Sequence, residues 1–133
     1  MRALVVDTDV ASYIHKKDTR AALYEPHLSN AIMSISFMTL AEMERWAIAR
    51  NWGARRHAEM LRMLKERFTV IDSSPALCRK WAEVTEQMKR AGRMIAPNDA
   101  WVAATALLYG APLVTHNAVD FAHVAGLTVV SES

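Results

Sequence analysis

Apolar residues along this chain fall into two alternating kinds of stretch. Ala3–Val6, Ala31–Ile35, Phe68–Ile71, Pro112–Thr115 and Leu127–Val130 are short continuous runs bounded by polar or turn residues, a pattern that predicts strands buried on both faces. Between them the apolar positions recur with helical spacing. This predicts helices over Asp9–Lys16, Thr19–Leu28, Phe37–Arg50, Ala54–Arg67, from Pro75 to about Gly92, and Asp99–Tyr109. In Ala54–Arg67 the apolar positions are Ala58, Met60, Leu61 and Leu64. Ser36 is placed to cap the third helix, and Asp72, Ser73 and Ser74 precede a proline suited to a first helical position. Asn51-Trp52-Gly53 breaks the chain between two helices, and Gly110 stops the last long one. Strands separated by helices predict an α/β protein with a parallel sheet, right-handed crossovers and helices on both faces. Ligands on such sheets bind beyond the carboxyl ends of the strands. Asp7 and Thr115 fall at two of those ends.

Composition narrows the picture. The 133 residues suit one domain over 1–133, and 52% hydrophobic with 23% charged residues is a globular mixture, so disorder, collagen and coiled coil are excluded. A single cysteine, Cys78, forms neither an internal disulfide nor a cysteine-rich zinc site. The longest nearly uncharged stretch, Ala100–Val119, is interrupted by Gly110, Pro112, His116 and Asn117 and does not read as a membrane span. The apolar run after Arg2 is too short for a signal peptide. A soluble cytoplasmic protein is the expectation.

Charge is unevenly spread. The total is +2, but Arg45–Arg67 holds seven basic and two acidic residues, giving +5. Met94–Ser133 has no Lys or Arg and carries Asp99, Asp120 and Glu132, giving −3. A basic helical stretch is either a solvated face or a polyanion-contacting flank beside an acidic pocket.

Four acids occupy suggestive positions: Asp7 after the first strand, Glu42 early in the helix after the second, Asp99 at the start of the helix leading to the fourth, and Asp120 in the loop leaving it. Each has a plain structural reading, as a turn residue, a cap or a first-turn acid. Asp9 would in that case cap the first helix. If the acids converge, two like charges about 4 Å apart cost roughly 4 kcal/mol at an effective dielectric near 20. A converged cluster therefore takes up protons or binds a cation. Hard divalent ions with oxygen ligands are the natural partner, and they support phosphodiester hydrolysis.

Four segments together resemble the PIN-domain ribonucleases, in particular the VapC-type toxins of type II toxin–antitoxin pairs. They are Val5-Val6-Asp7-Thr8-Asp9-Val10, Ser36-Phe37-Met38-Thr39-Leu40-Ala41-Glu42, Pro97–Leu107, and Leu113–Phe121 followed by Val124-Ala125-Gly126-Leu127. The resemblance implies a three-layer α/β/α sandwich with a central parallel sheet and a pocket binding Mg²⁺ or Mn²⁺ that cleaves RNA. It also implies a homodimer inhibited by a small VapB-type antitoxin whose basic side chain enters the pocket. Asp7, Glu42 and Asp99 match the family's first three acidic positions, with Asp7 and Asp99 the direct metal ligands. The fourth position departs: many relatives have an acid where this chain has Asn117, so Asp120 completes the cluster or Asn117 contributes its carbonyl. Asp9 stands where Asn is common.

Thr8 and Thr115 orient carboxylates or a phosphate oxygen on this reading, or only satisfy backbone groups. Arg45, Arg50, Arg55 and Arg56 supply part of an RNA footprint. Arg93 matches a basic residue often found before the third motif. His116 reads as a loop histidine rather than a general base, and the four Trp as core or interface. Two alternatives stay open. Asp7-Thr8-Asp9 also resembles the nucleophile motif of haloacid-dehalogenase-type phosphatases, although no Lys follows Lys89. A catalytically weak module binding antitoxin or RNA is the other.

Overall fold

Residues 2–133 are described by a computed structural model. The apolar runs form five strands: β1 (Arg2–Val6), β2 (Ala31–Ser36), β3 (Thr69–Ile71), β4 (Leu113–Val114) and β5 (Val129–Val130). They make one sheet in the order β3-β2-β1-β4-β5, every pair parallel. The helices are α1 (Thr8–Lys16), α2 (Ala21–Leu28), α3 (Phe37–Ala49), α4 (Ala54–Arg67), α5 (Pro75–Arg90), α6 (Pro97–Leu108) and a one-turn α7 (Ala118–Phe121). No helix is long and apolar enough to cross a membrane among the described residues.

Alternation along the central strands builds two cores. Leu4, Val6 and Val114 point to one face, where they meet Val10, Tyr24, Met43, Met60 and Leu64 of α1 to α4. Val5 and Leu113 point to the other, against Leu77, Val84 and Met88 of α5 and the small residues of α6. This is the three-layer α/β/α sandwich. Ala100, Ala103, Ala104 and Ala106 are fully buried, and their small size lets the α6 backbone approach both the sheet and α5.

Several boundaries differ from the sequence expectation. Helix α1 is capped by Asp7, not Asp9: the Asp7 carboxylate accepts from the Thr8 N–H at 2.8 Å. Helix α2 starts at Ala21 rather than Thr19, because Asp18 folds back onto the Arg20 backbone and guanidinium. Helix α6 begins two residues earlier, at Pro97. Of the four apolar positions in α4, Met60 and Leu64 are buried while Ala58 and Leu61 face solvent. Phe68 closes α4 instead of opening β3, β4 keeps only its two central residues, and β5 only its last two.

Ser36 and Ser74 are the caps of α3 and α5, accepting from the Met38 and Leu77 N–H groups at 3.1 Å each. Ser74→Ala is expected to cost about 1 kcal/mol, read as a fall of a few degrees in the midpoint of thermal unfolding.

Candidate metal centre

Strand order places the site. The chain winds outward from β1 to β2 and β3, then returns to the other side of β1 for β4 and β5. The reversal lies between β1 and β4, where a crevice opens at the carboxyl ends. Val6 pairs with Val114, so the next residues, Asp7 and Thr115, meet at the crevice. The Asp7 N–H donates to the Val114 carbonyl at 2.8 Å, and the Thr115 hydroxyl donates to Asp7 Oδ2 at 2.8 Å.

The other acids arrive on helix starts. Glu42 lies in the second turn of α3, which follows β2 directly. Its Oε1 accepts from the Thr8 hydroxyl at 3.1 Å, and its Oε2 meets the Asn98 amide at 3.4 Å. Thr8 in turn shares a 2.9 Å hydrogen bond with the buried Thr39 hydroxyl. Asp99 sits in the first turn of α6. Asp120 lies not in a loop but in the short helix α7, beside Asp99 in a cleft of about 390 Å³ that Arg93, Met94 and Val119 also line. Asp9 accepts from the His116 N–H at 2.9 Å and from the Val10 N–H at 2.7 Å.

Electrostatics register the convergence. Burial, followed by the charge of Asp9, pushes the Asp7 carboxyl up to about 7, against the opposing hydrogen bonds of Thr115 and Thr8. Burial, then Asp120, Glu42 and Asp9, push Asp99 up to about 6. Asp9 is also raised, chiefly by burial. None of these five acids forms a side-chain ion pair with a Lys, Arg or His among the described residues; the pairs that do form lie elsewhere.

The donor set is carboxylate and hydroxyl oxygen, the chemistry of a hard divalent cation. As the side chains are oriented, no three His, Cys, Asp or Glu among the described residues close around one point as a ligand shell does. Asp7 is turned to Thr115 and Thr8, and Glu42 to Thr8 and Asn98. Mutual repulsion favours this arrangement, since each carboxylate gains more from a hydroxyl or amide donor than from another anion.

The predicted residues therefore separate into groups. Asp7, Glu42, Asp99 and Asp120 gather at the crevice, with Thr8 and Thr115 holding two of them. Asn117 has an exposed side chain, and its N–H donates to the Thr115 hydroxyl at 3.1 Å. Arg93 lines the cleft with Asp99 and Asp120. Arg45, Arg50, Arg55 and Arg56 are exposed on the α3–α4 hairpin, where Arg55 pairs with Glu59. Two supporting residues have no role in the sequence reading. Thr39 lies one helical turn before Glu42, a spacing that puts both on one face of α3. Asn98 immediately precedes Asp99.

Thr115→Val removes the hydroxyl that donates to Asp7 and accepts from Asn117. It is expected to lower stability by about 1–2 kcal/mol at pH 8. The loss should shrink at pH 5, where Asp7 is largely protonated, as chemical denaturation at the two pH values would show.

Known proteins are similar to this chain in sequence and in fold. A family model described as "PIN domain" matches residues 4–127. "Ribonuclease VapC1" of Haemophilus influenzae (strain R2866) is 29% identical over 128 residues, covering 92% of each chain. "tRNA(fMet)-specific endonuclease VapC" of Shigella flexneri is 24% identical over 127 residues, covering 96% of each. Among solved structures, VapBC2 from Rickettsia felis bound to a promoter DNA fragment superposes with a TM-score of 0.83 at 23% identity, covering 97% of this chain and 98% of that one. VapBC-1 from nontypeable Haemophilus influenzae gives 0.79 at 26% identity, covering 97% of each.

Proposed function

We propose a function that proceeds from one premise: the chain belongs to the PIN domain family. The protein is an endoribonuclease, the toxin of a toxin–antitoxin pair, and residues 1–133 act as one catalytic domain. The observation that carries the reading is the set of five acids gathered at the β1/β4 crevice, none in an ion pair among the described residues.

Asp7 and Asp99 would hold a divalent cation, Mg²⁺ or Mn²⁺, with Glu42 and Asp120 completing the set. When bound, such an ion supplies an electrophile for the phosphate oxygens and lowers the pKa of water. The chain's own residues prepare the site. Thr115 and the Thr8 N–H fix the Asp7 carboxylate by its two oxygens. Thr8 and Asn98 hold Glu42 from opposite oxygens. Arg93 lines the same cleft as Asp99 and Asp120, where its charge favours an approaching phosphodiester. One solved structure of this fold is a toxin–antitoxin complex from Klebsiella pneumoniae. An inhibitor that inserted a guanidinium among these carboxylates would supply the missing counter-charge. Homodimerisation is proposed with it.

The phosphatase reading gains no support. Asp9, its required acid/base, is committed to the His116 and Val10 N–H groups. The weak binding module is disfavoured by Asp7, Glu42 and Asp99 all facing the crevice.

The test is RNA cleavage by the purified protein. Cleavage is expected with Mg²⁺, none with a chelator, and recovery when Mg²⁺ or Mn²⁺ is returned in excess. Cleavage that survives chelation overturns the reading.

A further inference from the structure

The basic segment that the catalytic reading leaves aside has its own architecture. Trp46 and Trp52 are half-buried against the core beneath α1, and three exposed cations rest on them. Lys16 Nζ lies 5.9 Å and Arg50 Cζ 5.1 Å from the Trp46 ring centre. Arg56 Cζ lies 4.1 Å from the Trp52 ring centre, and the His15 ring stands 5.2 Å from the same indole. None of the three cations has an acid within 4.0 Å among the described residues. They repel one another instead: after burial, Arg50 and Arg56 are the main influences that lower the Lys16 pKa.

The patch is aligned with the carboxylates. Glu42 and Trp46 lie on a single face of α3, and Arg50, four residues further, caps its end. Thr8 and Lys16 are the two ends of α1, about 12 Å apart at 1.5 Å per residue. Both helices begin at the acidic crevice and end at the cations. A strand whose scissile phosphate lies among the carboxylates would meet the cations after the axial rise of roughly three or four stacked nucleotides.

We propose that Lys16, Arg50 and Arg56, shelved on Trp46 and Trp52, form a second binding site for the flank of a single-stranded RNA. It grips phosphates three or four nucleotides from the cleavage point. Indole stacking fixes the cations in advance, so less side-chain freedom is lost on binding. Guanidinium groups offer paired donors to phosphate and a flat face to an unstacked base. The inference rests on RNA being the substrate.

The test uses the Asp7→Asn protein, in which cleavage is expected to be abolished, and a fluorescent twelve-nucleotide single-stranded RNA, titrated across a range of salt. Replacing Lys16, Arg50 and Arg56 together by Ala should weaken binding tenfold or more at low salt. It should also flatten the slope of log affinity against log salt by roughly two, at about 0.7 for each phosphate left without its cation. The control removes two charges from the opposite layer, Arg79→Ala with Lys80→Ala on α5, and should change neither quantity. If the triple variant matches that control, or if both lose affinity alike, the second site is overturned. It is also overturned if RNA affinity is kept while affinity for an acidic peptide is lost, because the surface then belongs to a protein partner. Failure of the catalytic reading looks different: wild type would bind this RNA with the full salt slope yet never cleave it with Mg²⁺.

Discussion

Asp99→Asn is expected to reduce RNA cleavage by about 10²–10³-fold, equivalent to roughly 3–4 kcal/mol of lost transition-state stabilisation. Among the described residues the Asp99 side chain makes no hydrogen bond, and it shares the cleft with Asp120, so it is free to ligate. The fold should not suffer. Asn is similar in shape, and the first turn of α6 retains Pro97 as its start. The measurement is single-turnover cleavage across a Mg²⁺ titration, with circular dichroism as a control. A ligand role predicts that the residual activity needs more Mg²⁺ than wild type. Activity within a few-fold of wild type at the same Mg²⁺ would remove Asp99 from the site and with it the proposed ligand pair.

Asp7→Asn should abolish cleavage while stabilising the metal-free protein, a combination that a merely structural aspartate does not give. In the folded protein Asp7 titrates near 7 rather than 3.8, so the folded state binds the proton more tightly than the unfolded chain. Wild-type stability contributed by this group is therefore fully present below about pH 4 and is lost as pH rises towards 7. Keeping the carboxylate ionised at pH 8 costs about 4 kcal/mol on that displacement. The Asn variant escapes this cost, which is already net of the Thr115 hydrogen bond to the carboxylate, but loses the hydrogen bond between Thr115 and the neutral acid, worth about 1 kcal/mol. A net gain of up to about 3 kcal/mol at pH 8 is expected, fading below pH 5. Asn caps helices as well as Asp, so α1 is not compromised. Added Mg²⁺ should reverse the order, because wild type alone gains binding free energy from the ion. Denaturation at pH 5 and pH 8, with and without Mg²⁺, reads all four cases. Equal stability of the two proteins at every pH would show that Asp7 is an ordinary cap.

Much of this site was legible in the chain. Val5-Val6-Asp7 reads as a buried strand ending in an acid, and Ser36 through Glu42 as a capped helix carrying another. Pro97-Asn98-Asp99 marks a helix start by its proline alone. The less legible parts depend on neighbours distant in sequence. Thr39 matters only because Thr8, thirty-one residues earlier, reaches its hydroxyl. Asp120 was expected in a loop, but the turn after Asn117 closes as α7 and sets it beside Asp99. Arg93 and the hairpin arginines look alike in a charge count, yet one lines the acidic cleft and the others lie on the α3–α4 hairpin.

The sequence by itself determined the alternation of strands and helices, their polarity in the layers, and the order in which the acids appear, because each is written in local periodicity, capping and turn chemistry. Only the tertiary structure decided which acids meet. Asp7 and Thr115 are 108 residues apart and touch because β1 pairs with β4. That pairing is a choice of strand order, settled by how both faces of the sheet are covered at once rather than by any one segment. The same holds for the charge. Arg50 and Arg56, two cations of the +5 segment, joined Lys16 from outside it in a row shelved on two indoles and aligned with the carboxylates once α1, α3 and α4 packed together.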